Sequence, residues 1–396
     1  MTEDASAGSS TSQLVLATLA FAISFSVWGL ISALAPHFKD LYKLTAFETS
    51  LMIAIPVILG SLFRIPMGIL ADRFGGRRVF SLLLAFCLIP AAAIALIHSY
   101  AALLIFGFLI GIAGSSFVVG VSFTSKWFPA AQQGFALGVF GVGNIGQSVA
   151  VFFAPRLSDS LGWESVFWLF GGISLLWAIV FWVLARDAAP GRAVPLSHIA
   201  DVFAHERLSW LLAYFYFITF GGFVALGIYL PTLLKSEFHL SLADAGLRTA
   251  GFVVVATLVR PFGGWLSDRV APSRVLLGVF ALLVVLALLL TSNHIVLFTI
   301  GALGSALALG IGNGAVFKLV PQRFPTEVGV VTGLVGALGG LGGFFPPIVL
   351  GIVKESTGAY TFGFLLLALA AAAALLLDLA VLETRQPARK PLKSSG

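Results

Sequence analysis

The sequence predicts an all-α polytopic membrane protein, with twelve transmembrane helices arranged as two pseudo-symmetric six-helix bundles. Three features lead to this prediction: the composition, the lengths of the apolar runs and an internal repeat. Of the 396 residues, 59% are hydrophobic and only 10% are charged, whereas a soluble domain has about 25% charged residues. So few charged residues cannot cover a globule with a water-compatible surface, which excludes an ordinary soluble protein.

Apolar runs of about 18 residues or more are long enough to cross a bilayer as helices. The predicted spans are 14–36, 49–71, 79–97, 101–127, 135–157 and 164–185, followed by 208–233, 244–267, 274–293, 295–320, 327–352 and 358–383. The longest polar connection divides these spans six and six. We therefore expect an N-terminal tail at 1–13, a bundle at 14–185, a linker at 186–207, a second bundle at 208–383 and a C-terminal tail at 384–396.

The basic residues of the loops predict the orientation of the chain, because Lys and Arg concentrate in cytoplasmic loops. Placing both termini and the central loop on one side collects most of them there. These are Arg73, Arg77, Arg78, Lys126, Arg186, Arg192, Arg207, Arg269, Arg274, Lys318, Arg323, Arg385, Arg389, Lys390 and Lys393. We therefore expect an integral protein of the cytoplasmic (inner) membrane with both termini in the cytoplasm. The same bias accounts for the net charge of +6 without a nucleic-acid partner.

The two halves of the sequence repeat each other. "FRIPMGILADR" at 63–73 aligns with "VRPFGGWLSDR" at 259–269, an offset of 196 residues. The same offset pairs Arg64 with Arg260, Gly68 with Gly264, Asp72 with Asp268, Arg73 with Arg269, Gly143 with Gly339 and Gly146 with Gly342. Because each unit has an even number of spans, the repeats are parallel. Such repeats place a binding site between the halves.

The loop after the second span, "GILADRFGGRR" at 68–78, and its counterpart at 263–274 combine glycines, a carboxylate and arginines. One interpretation is a loop that only sets topology; the other is a latch between helices that breaks and forms as the halves rock. The candidate latch residues are Asp72, Arg73, Arg77, Arg78, Asp268 and Arg269. The motif resembles the loop motif of the major facilitator superfamily. That resemblance implies a twelve-helix fold, a central cavity and alternating access.

Arg64 and Arg260 each lie eight residues before the Asp that ends their span, which is about 12 Å inside. Half of the hydrocarbon thickness is about 15 Å, so both lie near the midplane. An unpaired Arg there costs roughly 2.5–3.5 kcal/mol on insertion scales. Asp378 is the one acid well inside a predicted span. We therefore favour an anion site over two structural ion pairs, since the guanidinium fork matches a planar oxyanion.

The stretch "GVGNIG" at 141–146 matches the dinucleotide-binding pattern but lies inside a membrane-length apolar segment. Without a preceding strand that pattern is weak, and we reject a nucleotide cofactor. Glycines spaced by three or four residues instead let helices pack closely. The candidate packing glycines are Gly141, Gly143, Gly146, Gly336, Gly339 and Gly342. Asn144 would be costly facing lipid, so we expect its amide to face the cavity and donate to an anion.

Together, the glycine-rich segments at 113–155 and 332–347 and the two arginines resemble the nitrate/nitrite porter family over essentially the whole chain. The resemblance implies that Arg64 and Arg260 clamp the anion from opposite halves and that Asn144 contacts it. It also implies a hydroxyl donor and two flanking aromatics, namely Tyr216, Phe117 and Phe220. The residue types alone could not select one of 36 phenylalanines for such a role. Because Gly340 stands where the first segment has Asn144, we expect an asymmetric site.

We therefore expect a secondary active transporter of nitrate and nitrite, used in nitrate assimilation, that works by alternating access as a monomer in membrane lipid. Coupling by nitrate/nitrite exchange and by nitrate–proton symport both stay open. The alternatives are a carrier of another small anion, such as a carboxylate, and a non-transporting anion sensor. An enzyme is disfavoured because the sequence shows no nucleophile–base pair, metal cluster or cofactor motif.

Overall fold

The computed structural model describes residues 2–188, 206–324 and 328–383, and the regular structure in these ranges is helical. The predicted C-terminal tail, 384–396, and most of the predicted linker, 186–207, lie outside the described residues. Within the predicted N-terminal tail, 1–13, the first helix already begins at Thr2. No proline interrupts 2–13, so the backbone hydrogen bonds of the first span continue into it.

In the described ranges, eleven helices are long and apolar enough to cross a membrane, and one bent pair makes a twelfth span. In chain order, α1 to α6 are Ser10–Tyr42, the bent pair Ala46–Leu62 and Arg64–Phe74, Gly76–Leu96, Tyr100–Ser125, Ala136–Leu161 and Trp163–Leu184. Likewise, α7 to α12 are Arg207–Phe238, Leu242–Arg269, Pro272–Leu289, Ile295–Val320, Val331–Thr357 and Thr361–Val381. We call α1–α6 the first half and α7–α12 the second half. These helices confirm the predicted all-helical membrane fold.

The spans agree with the predicted ranges to within a few residues, except where α1 runs past the predicted end at 36 to Tyr42. The added turns carry Asp40, whose carboxylate lies 2.5 Å from Lys235 Nζ of α7. The hydropathy of the sequence falls at the first polar residues, whereas the added turns also pack the fully buried Phe38 into the fold. Large apolar side chains such as Leu82, Leu176 and Leu369 are more than half exposed, as expected for helices that face lipid.

Several spans are broken near their middle. A bend of 41° divides α2 just before Arg64, and the corresponding break in α8 falls at Val259, just before Arg260. One 3-10 segment, Val142–Ile145, interrupts α5, and a π-helical segment, Phe217–Gly221, interrupts α7. Such irregular backbone at membrane depth is tolerated where it is buried or lines a cavity. The breaks therefore lie at about the same depth as the two arginines.

Contacts between the halves concentrate at the end of the molecule that carries Asp40, which we call the outer end. There Ser50 of α2 and Tyr229 of α7 share a hydrogen bond of 3.0 Å. Glu355 of α11 accepts from the backbone N–H of Phe47 at 3.0 Å. Ser148 of α5 donates to a backbone carbonyl of α8 at 3.3 Å. The outer end is therefore closed by direct contacts between the halves.

Candidate functional site

Arg64 begins the second part of α2 and is 4% exposed. Its Nη1 donates to the backbone carbonyl of Gly336 in α11 at 2.5 Å, so this arginine bonds across to the other half. Its Nε is buried without a hydrogen-bond partner. The Cζ atom lies 5.1 Å from the centroid of the Phe220 ring and 5.9 Å from that of Phe117. The guanidinium thus keeps a free donor in an aromatic setting.

Arg260 occupies the matching position in α8 and is partly buried as a residue. Its Nε and Nη2 atoms are themselves buried and have no hydrogen-bond partner. The Cζ atom lies 5.3 Å from the centroid of the Phe220 ring and 4.8 Å from that of Phe223. Within the described ranges, neither Arg64 nor Arg260 forms an ion pair with a carboxylate. Buried donors of charged groups without partners are costly, so a bound anion would stabilise both.

Phe220 is the ring shared by the two arginines, and it lies in the π-helical segment of α7. Tyr216 stacks on it, with ring centroids 4.9 Å apart and planes 3° from parallel. The extra residue of a π turn shifts side chains out of α-helical register, and such turns recur at functional sites. Each cation lies within the range in which an aromatic face attracts it. The α7 aromatics therefore connect the two charged groups.

Arg64 lies close to the backbone of α11 at Gly340. A Cβ atom added at Gly340, the counterpart of Asn144, would lie 2.5 Å from Ser61 Oγ and 3.2 Å from Arg64 Nη1. A side chain there would occupy the space of the Arg64 guanidinium. Ser61 and Gly340 were not identified from the sequence as site residues. The offset repeat that aligns Gly340 with Asn144 was the available signal for the glycine.

Asn144 lies in the 3-10 segment of α5 and is 1% exposed. Its Nδ2 donates to the carbonyl of Gly141 at 2.8 Å, and its Oδ1 is buried without a partner. The described contacts join Asn144 to neither arginine. Phe117, in contrast, packs against Arg64 and against Phe140, whose ring centroid is 5.9 Å away. The structure thus brings Phe117 to the arginine and gives the asparagine amide a local backbone partner.

Four of the six candidate packing glycines lie at close approaches. A Cβ atom at Gly146 would be 1.8 Å from the Ala22 carbonyl oxygen, and one at Gly143 would be 2.5 Å from the Phe21 ring. At Gly339 it would be 2.1 Å from the Tyr216 ring, and at Gly342 it would be 2.4 Å from the Phe217 carbonyl oxygen. These glycines let α5 approach α1 and let α11 approach α7.

The other two glycines do not pack against a helix. A Cβ atom at Gly141 would meet nothing within 4 Å, and one at Gly336 would first meet Arg64 Nη1 at 3.9 Å. Neither glycine therefore lies at a close helix contact among the described residues, because the rotation of α5 and α11 decides which residues face a neighbouring helix. Instead, both contribute carbonyl oxygens, to Asn144 and to Arg64.

The candidate latch residues lie at the end opposite to Asp40, which we call the basic end. Asp72 accepts hydrogen bonds from Ser122 Oγ of α4 at 2.6 Å and from Nζ of Lys126, the residue after α4, at 2.9 Å. Asp268 forms an ion pair with Lys318. Both interactions fall within one half of the molecule, not between the halves. Sequence reasoning missed the role of Lys318, although it lies at the offset of 196 residues from Ser122.

The arginines of the latch motif have other partners. Arg77 donates from its backbone N–H to Asp187 at 2.9 Å and from Nε to the Trp182 carbonyl at 2.7 Å. Arg73 lies over the Phe74 ring, and Arg269 lies over the Trp265 ring at 4.1 Å. A cleft of about 560 Å³ at the basic end of the first half is lined by Asp72, Arg73, Arg77, Arg78, Lys126 and Asp187, among others. The motif therefore forms a charged cleft inside the first half.

The cavity next to Arg64 is small. It has a volume of about 10 Å³ and is lined by Trp28, Ser61, Arg64, Phe220 and Gly340, among others. A space of that size holds about one water molecule. Among the described residues, no group of three or more His, Cys, Asp or Glu side chains could hold a metal ion. The groups that the described residues offer here are N–H donors and positive charge.

Comparisons with known proteins agree with this architecture. A model of the Major Facilitator Superfamily matches residues 16–233 and again 212–396. A crystal structure of a bacterial homologue of the human lysosomal transporter Spinster, inward-facing and occupied, is 20% identical with a TM-score of 0.71. That likeness covers 96% of this chain and 99% of the other. It supports the fold alone.

Closer relatives are found in several bacteria. The nitrite extrusion protein of Bacillus subtilis (strain 168) is 43% identical over 367 residues, which cover 92% of this chain and 93% of that protein. The probable nitrate/nitrite antiporter NarK1 of Thermus thermophilus is 37% identical over 417 residues, covering 96% and 94%. The probable nitrate/nitrite transporter NarK2 of Mycobacterium tuberculosis (strain ATCC 25618 / H37Rv) is 40% identical over 363 residues, covering 89% and 92%. The chain is a transporter and not an enzyme, and it belongs to the nitrate/nitrite porter family of the major facilitator superfamily.

Proposed function

We propose that this protein carries nitrate and nitrite across the cytoplasmic membrane, with the anion bound between Arg64 and Arg260. One observation carries the proposal: two buried guanidiniums from opposite halves face the same Phe220 ring and keep N–H donors without partners. The names of the relatives support the choice of anion. A planar oxyanion can accept paired hydrogen bonds from a guanidinium fork.

Binding and movement are coupled in this proposal through Arg64. Its Nη1 donates to the Gly336 carbonyl of the other half. The adjoining cavity of about 10 Å³ suits a single water, so a larger anion requires the halves to separate. The closed outer end and the unpacked Gly141 of α5 support an approach from the basic end. Rocking of the halves about the bound anion then gives alternating access.

The aromatic and polar neighbours have specific roles in the proposal. Phe117 and Phe220 flank the anion and exclude water from the arginines. Tyr216, stacked on Phe220 and 2% exposed, is the hydroxyl donor. Asn144 retains one N–H after bonding to Gly141, and that N–H is its contribution to the anion. The close approach of α11 to α7 at Gly339 and Gly342 disfavours the wider pocket that a carboxylate with an organic tail would need.

The orientation follows the positive-inside rule, with the basic end and both termini in the cytoplasm of a bacterial inner membrane. A monomer suffices for this mechanism, because both arginines of the site come from one chain. In this orientation the outer end faces the outside of the cell. The outer-end contacts between Asp40 and Lys235 and between Glu355 and Phe47 must break whenever the carrier opens to the outside.

Exchange is the coupling that this site favours. Two like charges repel each other strongly in a site of low polarity, so the empty carrier resists the movement that brings them together. In proteoliposomes containing trapped nitrite, external nitrate should enter and nitrite should leave, as measured by colorimetric nitrite release. Vesicles without trapped anion should take up little nitrate. A pH gradient should not change the rate.

The same experiment separates exchange from the alternatives. Uptake into anion-free vesicles that depends on an acidic exterior would replace exchange with proton symport. Uptake that needs neither trapped anion nor a pH gradient would contradict both coupling models. Binding of nitrate with no flux in any arrangement would instead make the protein an anion sensor.

Replacing Asp72 by Asn should lower the maximal exchange rate without changing the nitrate concentration for half-maximal exchange. The change removes the ion pair between Asp72 and Lys126. Asp72 lies eight residues after Arg64, which is about 12 Å along the helix. Partly exposed ion pairs are worth about 0.2–1 kcal/mol, so the rate should fall by at most about fivefold. Asp268→Asn, which loses Lys318, is the matched change in the second half. A rise in the half-maximal concentration in either variant would place the carboxylate in substrate binding.

A further inference from the structure

Asn313 in α10 is a buried polar residue that the proposed mechanism does not use. It is 2% exposed, and both its Nδ2 and its Oδ1 are buried without hydrogen-bond partners. An amide in this state is expensive, because an unpaired buried donor or acceptor costs about 1–3 kcal/mol. The amide of Asn313 can therefore still donate and accept hydrogen bonds.

The packing of α10 fixes the direction in which Asn313 points. Gly312 faces α7 and α9, because an added Cβ would lie 2.6 Å from Thr219 and 3.1 Å from Val279. Gly314 faces α8, because its Cβ would lie 2.5 Å from the Arg260 carbonyl oxygen. Successive helical residues are about 100° apart. Asn313 therefore points between α7 and α8.

The space between α7 and α8 is where the Arg260 guanidinium lies, since it contacts Phe220 and Phe223 of α7. A second contact fixes the same face of α10. Phe317, one turn from Asn313, meets the Tyr216 ring edge-on at 4.7 Å. Asn313 thus shares a helix face with a residue that packs against the α7 aromatics of the anion site.

The internal repeat leads to the same placement independently. The offset of 196 residues that pairs Arg64 with Arg260 also pairs Phe117 with Asn313. Phe117 lies 5.9 Å from the Arg64 Cζ atom, so Asn313 holds the equivalent position beside Arg260. At this position the first half therefore has an aromatic side chain, and the second half has an amide.

We propose that Asn313 is a further substrate contact, whose Nδ2 donates to the anion held by Arg260. This inference rests on the proposed function, since it requires the anion to bind at the arginines. The first half contributes Asn144, whose counterpart in the repeat is Gly340. The second half contributes Asn313, whose counterpart in the repeat is Phe117. Each half thus provides one amide, from a different helix of the repeat. When the anion binds, the amide oxygen would accept from Arg260 Nε or Nη2, which have no other partner, and this would orient the Nδ2 donor towards the anion.

The test compares nitrate affinity in variants of Asn313 in the full-length protein. Asn313→Ala removes the donor and should raise the nitrate concentration for half-maximal exchange by tenfold or more, on the order expected for a hydrogen bond to a charged group. The maximal rate should stay within about twofold, since chiefly binding is lost. Asn313→Asp keeps the shape but places a carboxylate beside Arg260, and it should abolish nitrate exchange.

Ser305→Ala is the matched control, because Ser305 lies on the same helix, is fully buried and also has an unpartnered hydroxyl. It is eight residues from Asn313, about 12 Å along the helix, and should leave nitrate affinity unchanged. Nitrate affinity equal to wild type in both Asn313→Asp and Asn313→Ala would overturn the inference. Gel filtration of each variant confirms that it is folded.

Arg260→Lys separates this inference from the function on which it rests. Weak nitrate affinity in Arg260→Lys with wild-type affinity in both Asn313 variants would reject Asn313 and keep the arginine site. Wild-type affinity in Arg260→Lys would reject the arginine site itself, and the role of Asn313 with it. Weak nitrate affinity in Arg260→Lys, Asn313→Ala and Asn313→Asp, but not in Ser305→Ala, supports both the arginine site and the role of Asn313.

Discussion

Replacement of Arg260 by alanine should severely weaken nitrate binding in proteoliposome exchange assays. Its Nε and Nη2 are buried without partners, so a bound anion would be their acceptor. Removing one partner of a buried, hydrogen-bonded charge pair costs about 2–5 kcal/mol, and each 1.4 kcal/mol is about tenfold in affinity. We therefore expect nitrate binding to weaken by about a hundredfold or more, measured as the nitrate concentration for half-maximal exchange.

Arg64→Lys is the sharper variant, because it keeps the charge and loses the fork. Lysine presents a compact ammonium instead of planar paired donors, so nitrate affinity should fall by about tenfold or more. The bond to the Gly336 carbonyl, now 2.5 Å, should also be lost. A simple requirement for positive charge predicts no such change.

Arg156 provides the matched control for the arginine variants. It too lies against a phenylalanine ring, with its Cζ atom 4.0 Å from the Phe152 centroid, and donates to a backbone carbonyl at 2.5 Å. It belongs to the outer part of α5, away from Arg64 and Arg260. Arg156→Lys should retain wild-type nitrate affinity. Equal affinities in Arg64→Lys and wild type would contradict a guanidinium clamp.

Replacement of Gly146 by alanine should destabilise the protein severely. The new Cβ would lie 1.8 Å from the Ala22 carbonyl oxygen and 2.6 Å from its carbon. These are backbone atoms of α1, which cannot rotate away as a side chain can, so the two helices must separate. Overpacking costs typically 1–3 kcal/mol and occasionally more, and contact with backbone places this case at the upper end.

The measurement is the melting temperature in detergent, together with the recovery of monodisperse protein. Gly141→Ala is the control within the same "GVGNIG" stretch, since its Cβ would meet nothing within 4 Å. Alanine is favoured over glycine in helices by roughly 0.5–1 kcal/mol, so this variant should be as stable as wild type or slightly more so. Similar melting temperatures for the Gly146 and Gly141 variants would show that α5 does not pack as described.

Much of the fold was predictable because membranes impose simple rules on sequence. A helix must satisfy its own backbone hydrogen bonds in lipid, so apolar runs of sufficient length located the spans. The repeat identified Arg64 and Arg260 as equivalent positions, and the cost of burying charge made them candidates for an anion site. The breaks just before both arginines were not predicted, although Pro66 and Pro261 follow them and each removes a backbone N–H donor from the helix.

The sequence by itself determined the twelve-span architecture, the depth of the two arginines and the asymmetry between Asn144 and Gly340. Only the tertiary structure decided which polar groups meet. It placed Phe220 against both guanidiniums, bonded Asn144 to Gly141, and kept the Asp72 ion pair within one half. Spacing along a helix tells which residues share a face. Which neighbour that face meets depends on how each helix is rotated and where it breaks, and packing against all the other helices sets both.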